Sequence, residues 1–279
     1  MTRPGEQLVG PGWYPDPMAQ ADLRWWDGAR WTPGLAALPP VPPPPERTLP
    51  RQAVGFAVLG TIAIVAGTRV VAQFAETHLR TVRERESIAW AFYLVLYGGL
   101  FLLVRAACRR YGTGSLRDDL TMRFRWSDLG LGPVLFVAAR IAQVMVTAPI
   151  LIASTAVRQS SLHYSHTQQT QRASGLVMLA VAGILVAPVV EELLFRGVIQ
   201  RGLIPAVGSV WAAVIQGILF GLYHFAPFLG LYNLVLLTAN ATFGVLFGFM
   251  ARHRRTLGTG MVAHAITNAS VLLVILAHR

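Results

Sequence analysis

The chain has 279 residues, 54% of them hydrophobic and only 13% charged, with a mean hydropathy of +0.50. A soluble domain carries about 25% charged residues, so these values exclude an ordinary soluble domain and indicate a polytopic membrane protein. The formal charge of +11 is carried by arginines lying mostly between apolar segments, which fits lipid headgroups rather than nucleic acid, and the lone Cys108 excludes a disulfide framework or a cysteine zinc cluster.

Residues 1–36 read as a small separate module. Pro11-Gly12-Trp13-Tyr14-Pro15, Leu23-Arg24-Trp25-Trp26 and Arg30-Trp31-Thr32-Pro33 hold four of the seven tryptophans, and Asp27-Gly28 between aromatic runs is a β-hairpin signal. The opening residues lack the basic start and apolar core of a signal peptide. Residues 37–50 form a Pro-rich linker around Pro39-Pro40-Val41-Pro42-Pro43-Pro44-Pro45, expected to be extended and semi-rigid.

From residue 51 to 279 the pattern predicts an all-α transmembrane bundle. Seven apolar segments, near 53–75, 88–107, 130–153, 174–195, 208–227, 231–251 and 258–277, are each long enough for a hydrocarbon layer of about 30 Å. With the N-terminus inside, eleven arginines fall on the inner side and six on the outer, which predicts a cytoplasmic N-terminus. All 24 basic residues are arginine, a GC-rich coding bias that points to a bacterial cytoplasmic membrane.

Three sets of polar groups interrupt the apolar segments. Glu191 and Glu192 end the apolar run that begins at Gly175. A carboxylate in the bilayer costs about 2.5–3.5 kcal/mol, so it is expected to be paired, solvated by a cavity or used in chemistry. The two side chains point about 100° apart on a helix. Glu192 and Arg196 have the i,i+4 spacing of an ion pair, which leaves Glu191 to face a cavity. Pro188, one turn earlier, deprives a carbonyl of its helical partner. The second set is Phe220 and His224, one turn apart. A short turn near Pro205–Gly208 makes the fourth and fifth segments an antiparallel hairpin, which places Glu191 and His224 at similar depth. The third set is His264 and Asn268, on one face of the last helix. Each set also has a purely structural reading: hydrated interface carboxylates, a satisfied histidine, or a polar helix–helix contact. Arg140, with Gln143, is placed either to face the cavity or to neutralise a carboxylate.

In the order Glu191-Glu192-xxx-Arg196, Phe220-xxx-His224 and His264-xxx-Asn268, residues 85–279 resemble the CAAX-protease and bacteriocin-processing (CPBP/Abi) family of intramembrane endopeptidases. Residues 1–36 are similar to a Trp-rich actinobacterial module of unknown function. The family resemblance implies a helical membrane protease with a glutamate-activated water, acting on a hydrophobic or lipidated peptide. On that basis Glu191 is the general base, His224 holds the water, and His264 and Asn268 donate to the oxyanion. Glu192, Arg196 and Phe220 support them. No cofactor is then required. The alternative is zinc, bound by Glu191, His224 and His264 with an open water position. Outside catalysis, a membrane immunity or scaffold protein and a proton-coupled transporter remain open. The Trp-rich module is expected to bring a partner of its own.

Overall fold

The computed structural model describes residues 10–38, 48–78, 81–160, 173–226 and 229–277. The chain divides into two compact units, Met1–Glu46 and Arg47–Arg279. Most of the Pro-rich linker, residues 39–47, lies outside the described residues.

The first unit is a three-stranded antiparallel sheet in the order β1 (Gly12–Pro15), β2 (Leu23–Trp26), β3 (Trp31–Ala36). The Asp27-Gly28 signal marks the β2–β3 turn, where Gly28 adopts φ 98° and the Asp27 carboxylate accepts from the amides of Ala29 and Arg30. The hairpin expected from the sequence therefore gains a strand, because β1 pairs with β2 through Trp13↔Trp25. Arg24 is buried in the central strand and is held by Asp16 at 2.8 Å, by the Gln20 side chain and by the Thr32 carbonyl.

The second unit is helical. Two long helices, α1 (Arg51–His78) and α2 (Val82–Tyr111), pack on each other, and the short α3 (Leu116–Leu120) follows, capped by Ser115. After α4 (Ser127–Ala153) the chain runs through α5 (Ala173–Met178), a π-helical stretch Leu179–Val186, α6 (Ala187–Glu192) and a second π-helical stretch Leu193–Gln200. It continues into α7 (Arg201–Tyr223). The bundle closes with α8 (Tyr232–Arg254) and α9 (Gly258–Ala277). The Asp128 carboxylate caps the turn before α4 through the Arg125 amide and ties that helix to α9 through the Thr259 hydroxyl at 2.6 Å.

Six helical runs among the described residues are long and apolar enough to span a membrane. The fourth and fifth predicted segments are one of them, Leu176–Tyr223, which accounts for the difference from seven. This run is broken at Gly208, whose φ of 77° and ψ of 167° favour a residue without Cβ. Phe195 and Phe220 meet across that break with ring centroids 5.0 Å apart, so the chain doubles back on itself there. The returning helix lies close against α8: a Cβ on Gly244 would come within 2.6 Å of the Gly217 Cα. Such contact between backbones is what small residues permit in membrane helix packing.

Candidate active site

The site is built where α6 and the second π-helical stretch meet α2, α7, α8 and α9. Glu191 and Glu192 are 2% and 0% exposed. The Glu192 Oε1 lies 3.0 Å from Arg196 Nη1, the i,i+4 pair, and the guanidinium is enclosed by three rings, its carbon 4.6 Å from the Phe220 centroid, 5.5 Å from Phe247 and 5.9 Å from Phe243. A cation over aromatic faces gains about 2 kcal/mol or more when desolvated. Phe220 is thus a wall of the arginine cage. Gln200 and Gln216 complete this polar core by donating to the Gly248 and Gly244 carbonyls, which ties the hairpin to α8.

His264 lies between the two carboxylates. Its Nδ1 is 3.3 Å from Glu192 Oε1 and its Nε2 is 3.6 Å from Glu191 Oε2. Gly260, one turn earlier on α9, makes room for this arrangement: a Cβ there would lie 2.7 Å from Glu192 Oε2. Glu191 is held at its other oxygen, where the Tyr97 hydroxyl of α2 donates at 3.2 Å. The Tyr223 hydroxyl lies near enough to Glu191 and Tyr97 to act on both electrostatically. Glu191 Oε2 itself is buried without a hydrogen-bond partner among the described residues.

His224 sits at the C-terminal end of α7. Its Nδ1 bonds to the Phe220 carbonyl at 2.9 Å, which fixes the proton on Nδ1 and leaves Nε2 an acceptor. Glu191 and His264 are both near enough to act on it electrostatically. The hairpin explains this proximity. Glu191 lies four residues before Phe195 and His224 four after Phe220, so the two keep the register of the ring contact.

Asn268 is oriented differently from His264. Its Nδ2 donates to the Gly183 carbonyl at 2.6 Å. The cause lies in the π-helical stretch Leu179–Val186, where hydrogen bonds run five residues: the Ala187 amide bonds to the Ala182 carbonyl. In that register the carbonyl of Gly183 requires the amide of residue 188, which is proline and has none. Asn268 supplies the missing donor, so Pro188 acts on the site through a carbonyl that α9 captures.

Among the described residues Arg140 is paired with no carboxylate. Its guanidinium bonds to the side chain of Gln143 at 3.2 Å and approaches the Ser270 hydroxyl at 3.4 Å. Among the described residues no three His, Cys, Asp or Glu side chains are arranged to hold a metal, the set Glu191, His224 and His264 included. Reading the sequence missed Tyr97, Tyr223 and Gly260. Tyr223 adjoins His224, and Tyr97 repeats Tyr93 at one-turn spacing inside an apolar helix, so both left a signal. A glycine near a helix start left none.

An apolar cavity of about 380 Å³ opens between α1, the second π-helical stretch and α7. Val58, Ile62, Phe195 and Leu222 line it, Arg69 stands at its edge, and Tyr223 belongs both to its wall and to the surroundings of Glu191.

No curated protein and no solved structure matches the chain significantly. Residues 11–46 match DUF2510, a protein family of unknown function. Residues 173–270, which hold Glu191, Glu192, Arg196, Phe220, His224, His264 and Asn268, match the family model described as type II CAAX prenyl endopeptidase Rce1-like, so the membrane unit resembles a CAAX-type intramembrane endopeptidase on the residues that first pointed to it.

Proposed function

We propose that the chain is a multi-pass intramembrane endopeptidase that hydrolyses a peptide bond of a hydrophobic or lipidated substrate with a water activated by Glu191. One observation carries the reading: Glu191 is buried and anchored at Oε1 by Tyr97, while Oε2 has no hydrogen-bond partner among the described residues and lies 3.6 Å from His264 Nε2. A carboxylate held at one oxygen and open at the other suits a base that takes a proton from water.

The other groups take roles that follow from their bonds. His224 presents a bare Nε2 that accepts from the water and orients it. His264 donates from Nδ1 to Glu192, so only its doubly protonated form has an Nε2 proton to give the oxyanion. Asn268 gives one amide hydrogen to Gly183 and keeps a second for the same oxyanion. Each such donor is typically worth about 10²–10³ in rate. The glutamate that has taken the proton then delivers it to the leaving amine. The apolar cavity beside Tyr223 suits the substrate's hydrophobic part. This reading routes no step through a metal. The arginine distribution supports a bacterial cytoplasmic membrane and a cytoplasmic N-terminus, and the partners in this reading are the substrate and lipid.

The test compares membrane and secreted peptides from cells carrying the wild-type chain or Glu191→Gln, followed by assay of the purified protein on the peptide that changes. Loss of cleavage by about 10²-fold or more with binding retained is the expected result. A phenotype that requires the protein yet survives Glu191→Gln would remove the enzyme reading in favour of a scaffold.

A further inference from the structure

The Trp-rich sheet carries an exposed aromatic surface. Trp13 and Trp25 are directly paired across β1 and β2, and their rings make an edge-to-face contact with centroids 5.4 Å apart. Trp13 is 48% exposed. Beside them on β3 stands Gly34, where a Cβ would lie 3.4 Å from the Trp25 Cβ and 3.7 Å from the Trp13 ring, so the missing side chain leaves a notch along the indoles. Neither indole N–H has a hydrogen-bond partner among the described residues. The opposite face is closed by its own cluster, Tyr14 and Trp26 against Trp31 at 6.3 and 5.3 Å. An aromatic groove with unused indole donors is the surface that recognises a polyproline II helix, whose rings pack on the aromatics and whose carbonyls accept.

The chain supplies a ligand of that chemistry. The described part of the first unit ends at Leu38, and Pro39-Pro40-Val41-Pro42-Pro43-Pro44-Pro45 follows. We propose that the Trp13–Trp25 face is a polyproline II docking site and that its occupant is the Pro39–Pro45 run of a second copy of this chain.

The register argues against a run seated on its own sheet. Ala36 pairs with Leu23, which pairs with Pro15, so β3 leaves the sheet two residues beyond the Trp13–Trp25 row. The Leu38 amide is tied to the Asp22 carboxylate at 3.0 Å, which carries the exit onward in the strand direction. Leu38 precedes a proline and favours extended backbone, and every proline beyond it fixes φ. A seven-residue polyproline II helix is about 22 Å long, so a run that continues in that direction leads away from its own Trp13–Trp25 row. Two copies that each give one run and receive one form a closed pair, and confinement to one membrane raises the effective concentration for that exchange.

The test uses the full-length chain in detergent with residues 39–45 replaced by a Gly-Ser segment, which keeps its own run from competing. A fluorescein-labelled peptide, Leu-Pro-Pro-Val-Pro-Pro-Pro-Pro-Glu, is titrated by anisotropy. Saturable binding is expected, lost when the prolines become alanine and weakened at least about 10-fold by Trp13→Ala, as for a central aromatic anchor. Fluorine NMR of the 5-fluorotryptophan-labelled chain shows that the variant module is folded if the Trp26 and Trp31 signals are unchanged. Gly34→Val, which fills the notch and keeps both indoles, is expected to weaken the peptide as well. A flat titration, or one that neither variant changes, overturns the docking site. Energy transfer between donor- and acceptor-labelled copies in nanodiscs tests the occupant. The signal is expected to fall with the Gly-Ser replacement and with excess peptide. If the peptide binds while the two kinds of copy associate equally, the second copy is not the occupant.

Discussion

Two single side chains give the adjacent carboxylates different surroundings. Glu192 is neutralised by Arg196, whose guanidinium is enclosed by three phenylalanine rings. Removing one member of a buried pair leaves the other uncompensated and costs about 3–5 kcal/mol, so Arg196→Met is expected to lower thermal stability in detergent severely. Arg196→Met combined with Glu192→Leu is expected to recover much of that loss, since both charges are then absent. A single substitution that melts like the wild type would show that the pair does not hold the bundle. In the proposed mechanism Tyr97 is instead a positioning residue, acting through the oxygen of Glu191 that it binds. A hydrogen bond to a charged group contributes about 1.5–3 kcal/mol, so Tyr97→Phe is expected to lower kcat roughly 10–100-fold with KM nearly unchanged. A rise in KM at constant kcat would place Tyr97 in the substrate pocket instead. The Glu192–Arg196 pair was legible because both partners lie on one turn. The Tyr93–Tyr97 repeat was visible, but the partner of Tyr97 was not, because it is 94 residues away and only packing brings α2 to α6.

At the scale of elements, the π-helical stretches decide where the site's groups point. Hydrophobic pattern and the turn near Pro205–Gly208 were enough to make the hairpin legible, since a two-armed helix needs only apolar length and a breaker. The change from four- to five-residue hydrogen bonding was not legible, because apolar side chains over Leu179–Val186 serve either register. It displaces the carbonyl without a partner from the one an α-helix would expose to Gly183, which Asn268 then captures. This predicts a specific coupling. Asn268→Ala leaves the Gly183 carbonyl unsatisfied and is expected to cost about 1–3 kcal/mol of stability. Pro188→Ala restores an amide at the position five residues on, so the double substitution is expected to lose less than the sum of the two single changes. The cycle is read from thermal unfolding in one detergent. Strict additivity would show that Asn268 does not act through that carbonyl, leaving its role at the site to be judged from kcat alone.

At the scale of the whole molecule, two units of different physical character share one chain, and acid is expected to separate them. The small sheet depends on one charged network, where Asp16 organises the β1–β2 turn and holds Arg24 in the centre of the sheet. Desolvation pulls the Asp16 carboxyl upward, but hydrogen bonds from Arg24 and from the amides of Met18, Gln20 and Ala21 outweigh it and hold the group at about 2, against an ordinary 3.8. Asp27 is also held below its ordinary value, by the amides of Ala29 and Arg30. Because these folded-state values are lowered, the stability they supply is present above the ordinary carboxylate range and disappears as pH falls toward the folded value. The module's urea midpoint is therefore expected to be flat above about pH 5, where both carboxylates are ionised, and to fall steadily toward pH 2. Asp16→Asn is expected to start lower at neutral pH and to lose most of that slope. Fluorine NMR with 5-fluorotryptophan follows Trp13, Trp25, Trp26 and Trp31 apart from the three tryptophans of the helical unit, so module unfolding is read in the intact chain. A wild-type midpoint that stays the same from pH 5 to pH 2 would mean that the Asp16–Arg24 network does not hold the sheet together, and that the four indoles do so without it.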